Sequence, residues 1–419
     1  MIRVNSSIPH EKLKSLTETL YARTSFWKER MDTLVEGGSF ESLPPLTRKD
    51  LSGISPYDML LPEARNEYLL YCESTGTTGE PISSFHSLRD ILSLEAILRT
   101  HPLLQKSFSP GAVVANALPY EMGFIGQSIS ILLKSSQATE IPISTRTTVC
   151  PPVRAVEILK KLRPICLVAL PVDAECYAQI LRDEGTEPSS IGLELILVSS
   201  EPSSENRRKR LEETYGCTVL NFYGASEVGP VAVPCSYGSL HFLEDHFYGE
   251  LNPVTYANRL ITKVESTGEL VLTTLNNTAM PLVRYCTHDI ISIVRDSCPC
   301  GNLSPSVVYR FRAGGQLNIG GKVYGPLDIE DVIYEFNVGP WYQVEVTDHG
   351  MIVYVESNDD YRSRLERDLA DKMTAAFDVP VFVLSRSPGE LYAYREIRGR
   401  KPMARIINRK TSDAVIWAS

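Results

Sequence analysis

Between Ser74 and Gly79 the chain holds only serine, threonine and glycine, in the run STGTTG. Glycines let a backbone turn tightly and approach a ligand, because no Cβ blocks positive φ. Hydroxyls and free backbone N–H groups together make a pocket for phosphate oxygens. No Gly-Lys-Ser/Thr follows, so this is not the Walker pattern. A Ser/Thr/Gly surface loop is the bland alternative. Asn221 to Pro230 reads NFYGASEVGP. There an aromatic face, Tyr223, and a carboxylate, Glu227, leave the end of one strand. Tyr223 could stack on a purine, and Glu227 could hold Mg²⁺ through oxygen. A β-turn with a buried tyrosine would look the same. In PLVRYCTHDI (281–290) an Asp after a strand, Asp289, can accept hydrogen bonds from both hydroxyls of a ribose; a turn carboxylate or helix cap is the plainer reading. Arg312 can grip a phosphate or carboxylate with two parallel bonds, or be a solvated surface cation. REIRGRKPMARIINRK (395–410) is dense in positive charge. It reads either as a solvated basic tail or as the carrier of a lysine delivered to developing charge.

A second constellation is soft. Cys235 and His241 form C-x5-H, and Cys298 and Cys300 form C-x-C-G after a long excursion. Three thiolates and one imidazole suit tetrahedral Zn²⁺. The alternative is a set of unrelated thiols and a surface histidine.

The elements around these motifs alternate. From 150 onward, helices (Pro152–Leu162, Asp173–Asp183 and the highly charged Glu205–Tyr215) interleave with buried strands (Ile165–Leu170, Leu193–Ser199, Thr218–Phe222). That order predicts a parallel sheet with covered faces. Ligands of such sheets bind at the carboxyl ends of the strands. Upstream, 11–33 reads as one amphipathic helix, Thr47 with Asp50 as a helix start, Ser87–Thr100 and Ile125–Leu133 as helices, and Val113–Leu118 and Glu140–Ser144 as strands. From about 229 short strands dominate: Leu240–Leu243, Gly268–Thr274 and Ile290–Val294. Past the glycine-rich AGGQLNIGG (313–321) a last α+β unit follows. Its helices are Ile329–Phe336 and Tyr361–Phe377, and its strands Gln343–Thr347, Met351–Glu356 and Val381–Leu384. The fold class is therefore α/β. A large N-terminal domain, 1–312, has parallel sheet covered by helices and a β-rich subdomain at 229–311; a small α+β domain occupies 313–419.

The chain has 419 residues, 43% of them hydrophobic and 22% charged, as expected of a globular enzyme. Its net charge of −9 gives no reason to expect nucleic acid or an anionic membrane as partner. No apolar run is long enough to span a bilayer. Nine cysteines without an apolar signal core point to reduced thiols and a cytoplasmic setting.

Taken in order, STGTTGEP, Ser200-Glu201-Pro202, NFYGASEVGP, TGELVLTTL…MPLVRYCTHDI, a glycine hinge and a C-terminal lysine resemble the adenylate-forming superfamily of acyl-CoA ligases and adenylation domains. LPPLTRKDL, LHFLEDHFYGELNP (240–253) and GPLDIEDVIYE are similar to segments of its phenylacetate–CoA ligase branch. The resemblance covers nearly the whole chain. It implies that a carboxylate attacks the α-phosphorus of ATP, giving acyl-AMP and pyrophosphate, and that a nucleophile, usually the coenzyme A thiol, then displaces AMP. Ser74, Thr75, Gly76, Thr77, Thr78 and Gly79 would cradle the pyrophosphate end of ATP. Glu201 and Pro202 would border the adenine, with Tyr223 and the adjoining Gly224 against it. Glu227 would ligate Mg²⁺, and Asp289 the ribose, with Arg312 nearby. Lys401 would be the catalytic lysine. The resemblance places the acid pocket near 117–127 and 222–225, where Tyr120, Phe124, Phe222 and Ala225 suggest an aromatic acid. It also implies a small C-terminal domain that rotates between the two half-reactions, here about Gly314 and Gly315. Some relatives in this branch carry a similar Cys-x-Cys-Gly turn.

Three positions depart from the superfamily pattern. Glu80 stands where many relatives have Lys. Gly314 stands where a hinge Asp or Lys is usual. Lys401 precedes Arg405 by four residues instead of three, so Arg400 or Arg398 could occupy the lysine's place. Two other readings stay open: a stand-alone amide synthetase that passes the acyl group to an amine or a carrier protein, and a non-catalytic nucleotide-binding relative.

Overall fold

The computed structural model describes all residues except 36–37, 75–80, 145, 255, 257–263, 348, 358–361, 397–404 and 409–419. The expected parallel sheet is present. Its five strands run in the order Thr139–Pro142, Val113–Asn116, Cys166–Ala169, Leu195–Val198 and Thr218–Asn221, every pair parallel. The strands at 166–169 and 195–198 are buried at every position, as continuous apolar runs require when helices cover both faces. Pro152–Leu162, Pro171–Asp183 and Glu205–Tyr215 provide part of that cover.

An eight-stranded antiparallel sheet packs beside it, over a second core that includes Trp27, Phe242 and Leu272. Its order is Ile2–Arg3, Phe247–Pro253, Ser266–Thr274, Tyr285–Val294, Ser306–Arg312, Leu240–Phe242, Gly229–Pro234 and Tyr223–Ala225. The strand at 285–294 is longer than the sequence reading, and it changes the position of one site residue. Asp289 does not follow a strand; it lies inside one. His288 has φ +62° and the pairing slips by two residues between Glu269 and Val271, so the strand is bulged there. Bulges of this kind re-aim a side chain without ending the sheet.

The last segment folds around its own core, which includes Ile329, Tyr342, Leu369 and Phe377. A four-stranded sheet, ordered Val381–Arg386, Gly350–Glu356, Tyr342–Thr347 and Ile406–Asn408, is covered by the helices Pro326–Ile333 and Arg362–Phe377. Phe382 and Leu384 on its outer strand are exposed.

Near the start of the chain, the single helix read over 11–33 is two, His10–Arg23 and Ser25–Val35. Thr24 between them is extended, and its hydroxyl donates back to the Leu20 carbonyl at 3.1 Å. Such local side-chain bonds compete with helix continuation at β-branched hydroxyl residues. The helix read over 87–100 is an α-turn at Leu88–Leu92 that tightens to 3₁₀ over Ser93–Arg99. No helix among the described residues is long and apolar enough to cross a membrane.

Candidate active site

A cavity of about 880 Å³ opens at the carboxyl ends of the parallel strands. Its walls come from Leu170, from the segments that follow Val198 and Leu220, from the antiparallel sheet, and from Leu327, Asp328 and Asp331 of the C-terminal segment. Ser74, Glu201, Pro202, Phe124, Phe222, Tyr223, Gly224, Ala225, Glu227, Asp289, Arg312, Gly314 and Gly315 all lie on it. The structure thus brings together site residues from six separate stretches of sequence.

One side of the cavity is built from Tyr223, Asp289 and Arg312. Tyr223 is buried, and its hydroxyl donates to Asp289 Oδ2 at 2.9 Å. Arg312 Nε stands 3.8 Å from the other carboxylate oxygen, and Arg312 Nη2 donates to the Thr287 carbonyl. Burial pushes the Asp289 carboxyl up to about 6; Arg312 and the Tyr223 hydroxyl oppose the rise, and Glu227 adds to it. Tyr309 lies with its ring centre 5.8 Å from that of Tyr223, on the same cavity wall. Gly224 has a reason of its own: a Cβ there would run into the Gly229 carbonyl of the adjoining strand.

Glu227 is buried and held from two sides. Tyr285 donates its hydroxyl to Glu227 Oε1 at 3.1 Å, and Arg48 Nη1 lies 3.4 Å from the same oxygen. Arg48 also donates to Ser74 Oγ at 3.1 Å. Ser74 in turn pairs with Ile82 through its backbone N–H, and its Oγ accepts the Ile82 N–H at 2.9 Å. This closes the neck of a hairpin between Leu69–Glu73 and Ser83–Ser87. Thr75, Gly76, Thr77, Thr78 and Gly79 lie outside the described residues, as does Lys401.

Sequence reasoning missed Arg48, Tyr285, Tyr309 and His86. Arg48 had a signal. Thr47 and Asp50 form the capping box expected of them, and a box fixes the first helical residue, which is Arg48. His86 is fully buried. Its Nε2 lies 2.9 Å from the Ser226 carbonyl, and its ring is 4.2 Å from that of Phe124. Burial pushes this imidazole down to about 4, so it is neutral at physiological pH and supports the segment preceding Glu227.

One assignment is revised. Tyr120 is not on the cavity wall; its hydroxyl donates to Glu140 Oε1 at the neighbouring strand. An aromatic in a loop has two apolar faces and one polar tip, and here a carboxylate took the tip. Glu201 lies on the wall, and its carboxylate accepts from Arg207 Nη1 at 2.7 Å and from the Val172 N–H at 3.1 Å.

The soft ligands also converge. Cys235, His241, Cys298 and Cys300 place their ligating atoms within 4.8 Å of one another. Cys235 and Cys298 sulfurs are 3.7 Å apart, and Cys300 Sγ is 3.3 Å from His241 Nε2. His241 Nδ1 donates to the Ser304 carbonyl at 2.8 Å. That bond leaves Nε2 as the lone-pair nitrogen, the tautomer a metal ligand needs. Cys298 shares the wall of the large cavity, with Ser239 and Leu240, so the cluster borders that cavity.

No protein-family model matches the chain. Comparison with curated proteins does give relatives. Phenylacetate-coenzyme A ligase of Thermus thermophilus is 31% identical over 365 residues, covering 83% of this chain and 79% of that protein. The chain belongs to the phenylacetate–coenzyme A ligase family. It is an enzyme of the adenylate-forming ligase type. The family member of Escherichia coli is 26% identical over 354 residues, covering 81% of this chain and 78% of its own. The fold is shared with more distant ligases. A 2-hydroxyisobutyryl-CoA ligase crystallised in its postadenylation state with an acyl-AMP is 17% identical and superposes with a TM-score of 0.80, over 96% of this chain and 89% of its own. In its thioesterification state, with acyl-AMP and CoA, that ligase is 18% identical and superposes at 0.63, over 95% of this chain and 88% of its own.

Proposed function

We propose that this enzyme activates a carboxylic acid with ATP and transfers the acyl group to coenzyme A. In the first step a carboxylate oxygen attacks the α-phosphorus and pyrophosphate leaves. In the second, the coenzyme A thiolate attacks the acyl carbon and AMP leaves. One observation carries this reading: Tyr223, Asp289, Arg312 and Glu227, distant in sequence, meet on one cavity at the carboxyl ends of the parallel strands. Membership of the phenylacetate–coenzyme A ligase family supports both steps.

The residues have distinct tasks. Asp289 accepts the ribose hydroxyls, and Tyr223 orients it while offering an aromatic face to the base. Glu227 is the group that would hold Mg²⁺; its buried carboxylate, with one cationic and one phenolic neighbour, suits an oxygen-loving cation. The metal would neutralise charge on the phosphates. Ser74–Gly79 would cradle the leaving pyrophosphate, and Lys401 would meet charge developing on the reacting oxygens. The chemistry needs no protein nucleophile, because positioning and charge neutralisation carry phosphoryl transfer. Phe124, Phe222 and Ala225 would form an acid pocket suited to an aromatic ring. Cys235, His241, Cys298 and Cys300 would hold a structural Zn²⁺, since three thiolates and one oriented imidazole match its tetrahedral preference. Residues 313–419 would form a small domain turning about Gly314, whose φ of +87° only glycine adopts freely.

ATP–pyrophosphate exchange across a panel of aryl and alkyl acids, with and without coenzyme A, tests the proposal. Acid-dependent exchange and an acyl-CoA product are expected. Exchange that yields hydroxamate with hydroxylamine but no thioester would move the acceptor to an amine or carrier protein. ATP binding without exchange would remove the catalytic reading.

A further inference from the structure

Five charged side chains are buried where the C-terminal segment meets the parallel-sheet unit. From the larger unit come Glu175, Glu201 and Arg207; from the C-terminal segment come Glu330 and Arg405. Arg207 is the hub. It forks onto Glu175 at 2.9 and 2.7 Å, reaches Glu201 at 2.7 Å, and meets Glu330 across the boundary at 3.3 Å. Glu330 also accepts the Ser204 N–H at 2.7 Å, from the same wall segment as Glu201.

Arg405 differs from Arg207. It is as deeply buried, yet among the described residues none of its three guanidinium nitrogens has a hydrogen-bond partner. It lies flat against Trp341 and Tyr342, at 4.1 and 4.6 Å from their ring centres. Its closest carboxylates, Glu175 and Glu201, are 3.6 and 3.7 Å away, both across the boundary. Trp341 itself is packed into the core of the parallel-sheet unit and stacked on Tyr392 at 4.0 Å. The cluster holds three carboxylates against two guanidinium groups, so its charge depends on both arginines being present.

We infer that Arg405 is a positioning residue for the acyl-AMP-forming arrangement: a cationic latch that holds the C-terminal segment against the parallel-sheet unit during the first half-reaction. This rests on the two-step reading above. The physics favours a latch over a permanent weld. A buried ion cluster adds little net stability, because desolvation cancels most of the attraction. Removing one partner is costly only while the rest stay buried. When the segment swings away, all five groups rehydrate and the missing arginine no longer matters. The better superposition on a ligase in its postadenylation state than on the same ligase in its thioesterification state agrees with a latch closed in this structure.

Arg405→Met keeps the stacking volume and removes the charge; Arg405→Lys keeps the charge. Single-turnover acyl-AMP formation and discharge of supplied phenylacetyl-AMP to coenzyme A are measured separately in the full-length enzyme. Arg405→Met is expected to slow formation by about tenfold or more and to leave discharge within about twofold, with Arg405→Lys recovering most of the loss. Docking is read independently of activity from acrylamide quenching of Trp341, with Trp27 and Trp417 replaced by Phe. Arg405→Met should make Trp341 more quenchable. Parallel losses in both half-reactions, or unchanged formation, would overturn the latch; so would unchanged Trp341 shielding. A wild-type enzyme inactive with every acid would instead overturn the functional reading, and the quenching result would still judge the latch.

Discussion

Asp289→Asn should make the ligand-free enzyme more stable while crippling its use of ATP. The perturbation removes one charge and keeps the shape, and the amide carbonyl can still accept the Tyr223 hydroxyl. The Asp289 carboxyl is raised from 3.8 to about 6, chiefly by burial. The sign follows from proton counting. Between those two values the native state holds more protons than the unfolded chain, so stability falls as pH rises through that window. Above about 6 the full cost is present; below 3.8 it is absent. The shift is roughly two units, and at about 1.4 kcal/mol per unit the cost is on the order of 3 kcal/mol at neutral pH. Arg312 loses a partner at 3.8 Å in the variant, but its side chain is 31% exposed, so water replaces most of that interaction. A net gain of about 1–3 kcal/mol is therefore expected above pH 7, shrinking toward zero as the pH falls below 4. Urea titrations of both proteins at a series of pH values measure the gap. The same variant should bind ATP about tenfold or more weakly, because the ribose loses a charged acceptor. A variant less stable than wild type at neutral pH, or a gap that does not change with pH, would refute the reasoning.

Arg48→Ala should reduce pyrophosphate exchange by about tenfold or more and alter its Mg²⁺ dependence, because Arg48 touches both Glu227 and Ser74. An Mg²⁺ titration identical to wild type would leave Arg48 with a purely structural task. Protein purified without added zinc should contain about one equivalent of the metal, and Cys298→Ser with Cys300→Ser should lose it along with several degrees of melting temperature; less than about half an equivalent in well-folded protein would count against the site. Gly314→Pro should impair acyl-AMP formation more than discharge. Proline cannot adopt φ +87°, and its missing N–H forfeits the bond to Gln316 Oε1 at 2.9 Å. Equal, small losses in both steps would sink the hinge assignment.

The parallel sheet was legible because its strands are uninterrupted apolar runs between helices of clear period, and because buried strands have no polar face to confuse the pattern. The capping box at Thr47 was legible for the same kind of reason: it is local chemistry at a fixed spacing. Tyr285–Val294 was read too short because its bulge at His288 breaks the alternation that marks a strand. Site residues carried on recognisable motifs, such as Tyr223, Glu227 and Asp289, do meet. What could not be read was which way a side chain turns. Tyr120 faces Glu140, and Glu201 gives its carboxylate to Arg207; both partners are distant or unremarkable in sequence. Arg48 reaches Glu227 across 179 positions, a contact that only the tertiary fold creates.

The borders of the eight-stranded sheet and of the C-terminal sheet differ. The eight-stranded sheet ends in Ile2–Arg3 and Tyr223–Ala225, two and three residues long, which offer almost nothing for a foreign strand to pair with. The C-terminal sheet ends in Val381–Arg386, six residues long, with its Phe382 69% exposed. Among the described residues, that border is the longer of the edges compared, and it carries one charged side chain, Arg386, at its end. Heat-induced aggregation of this enzyme should therefore nucleate there, leaving the sheet that carries Tyr223 and Asp289 to follow.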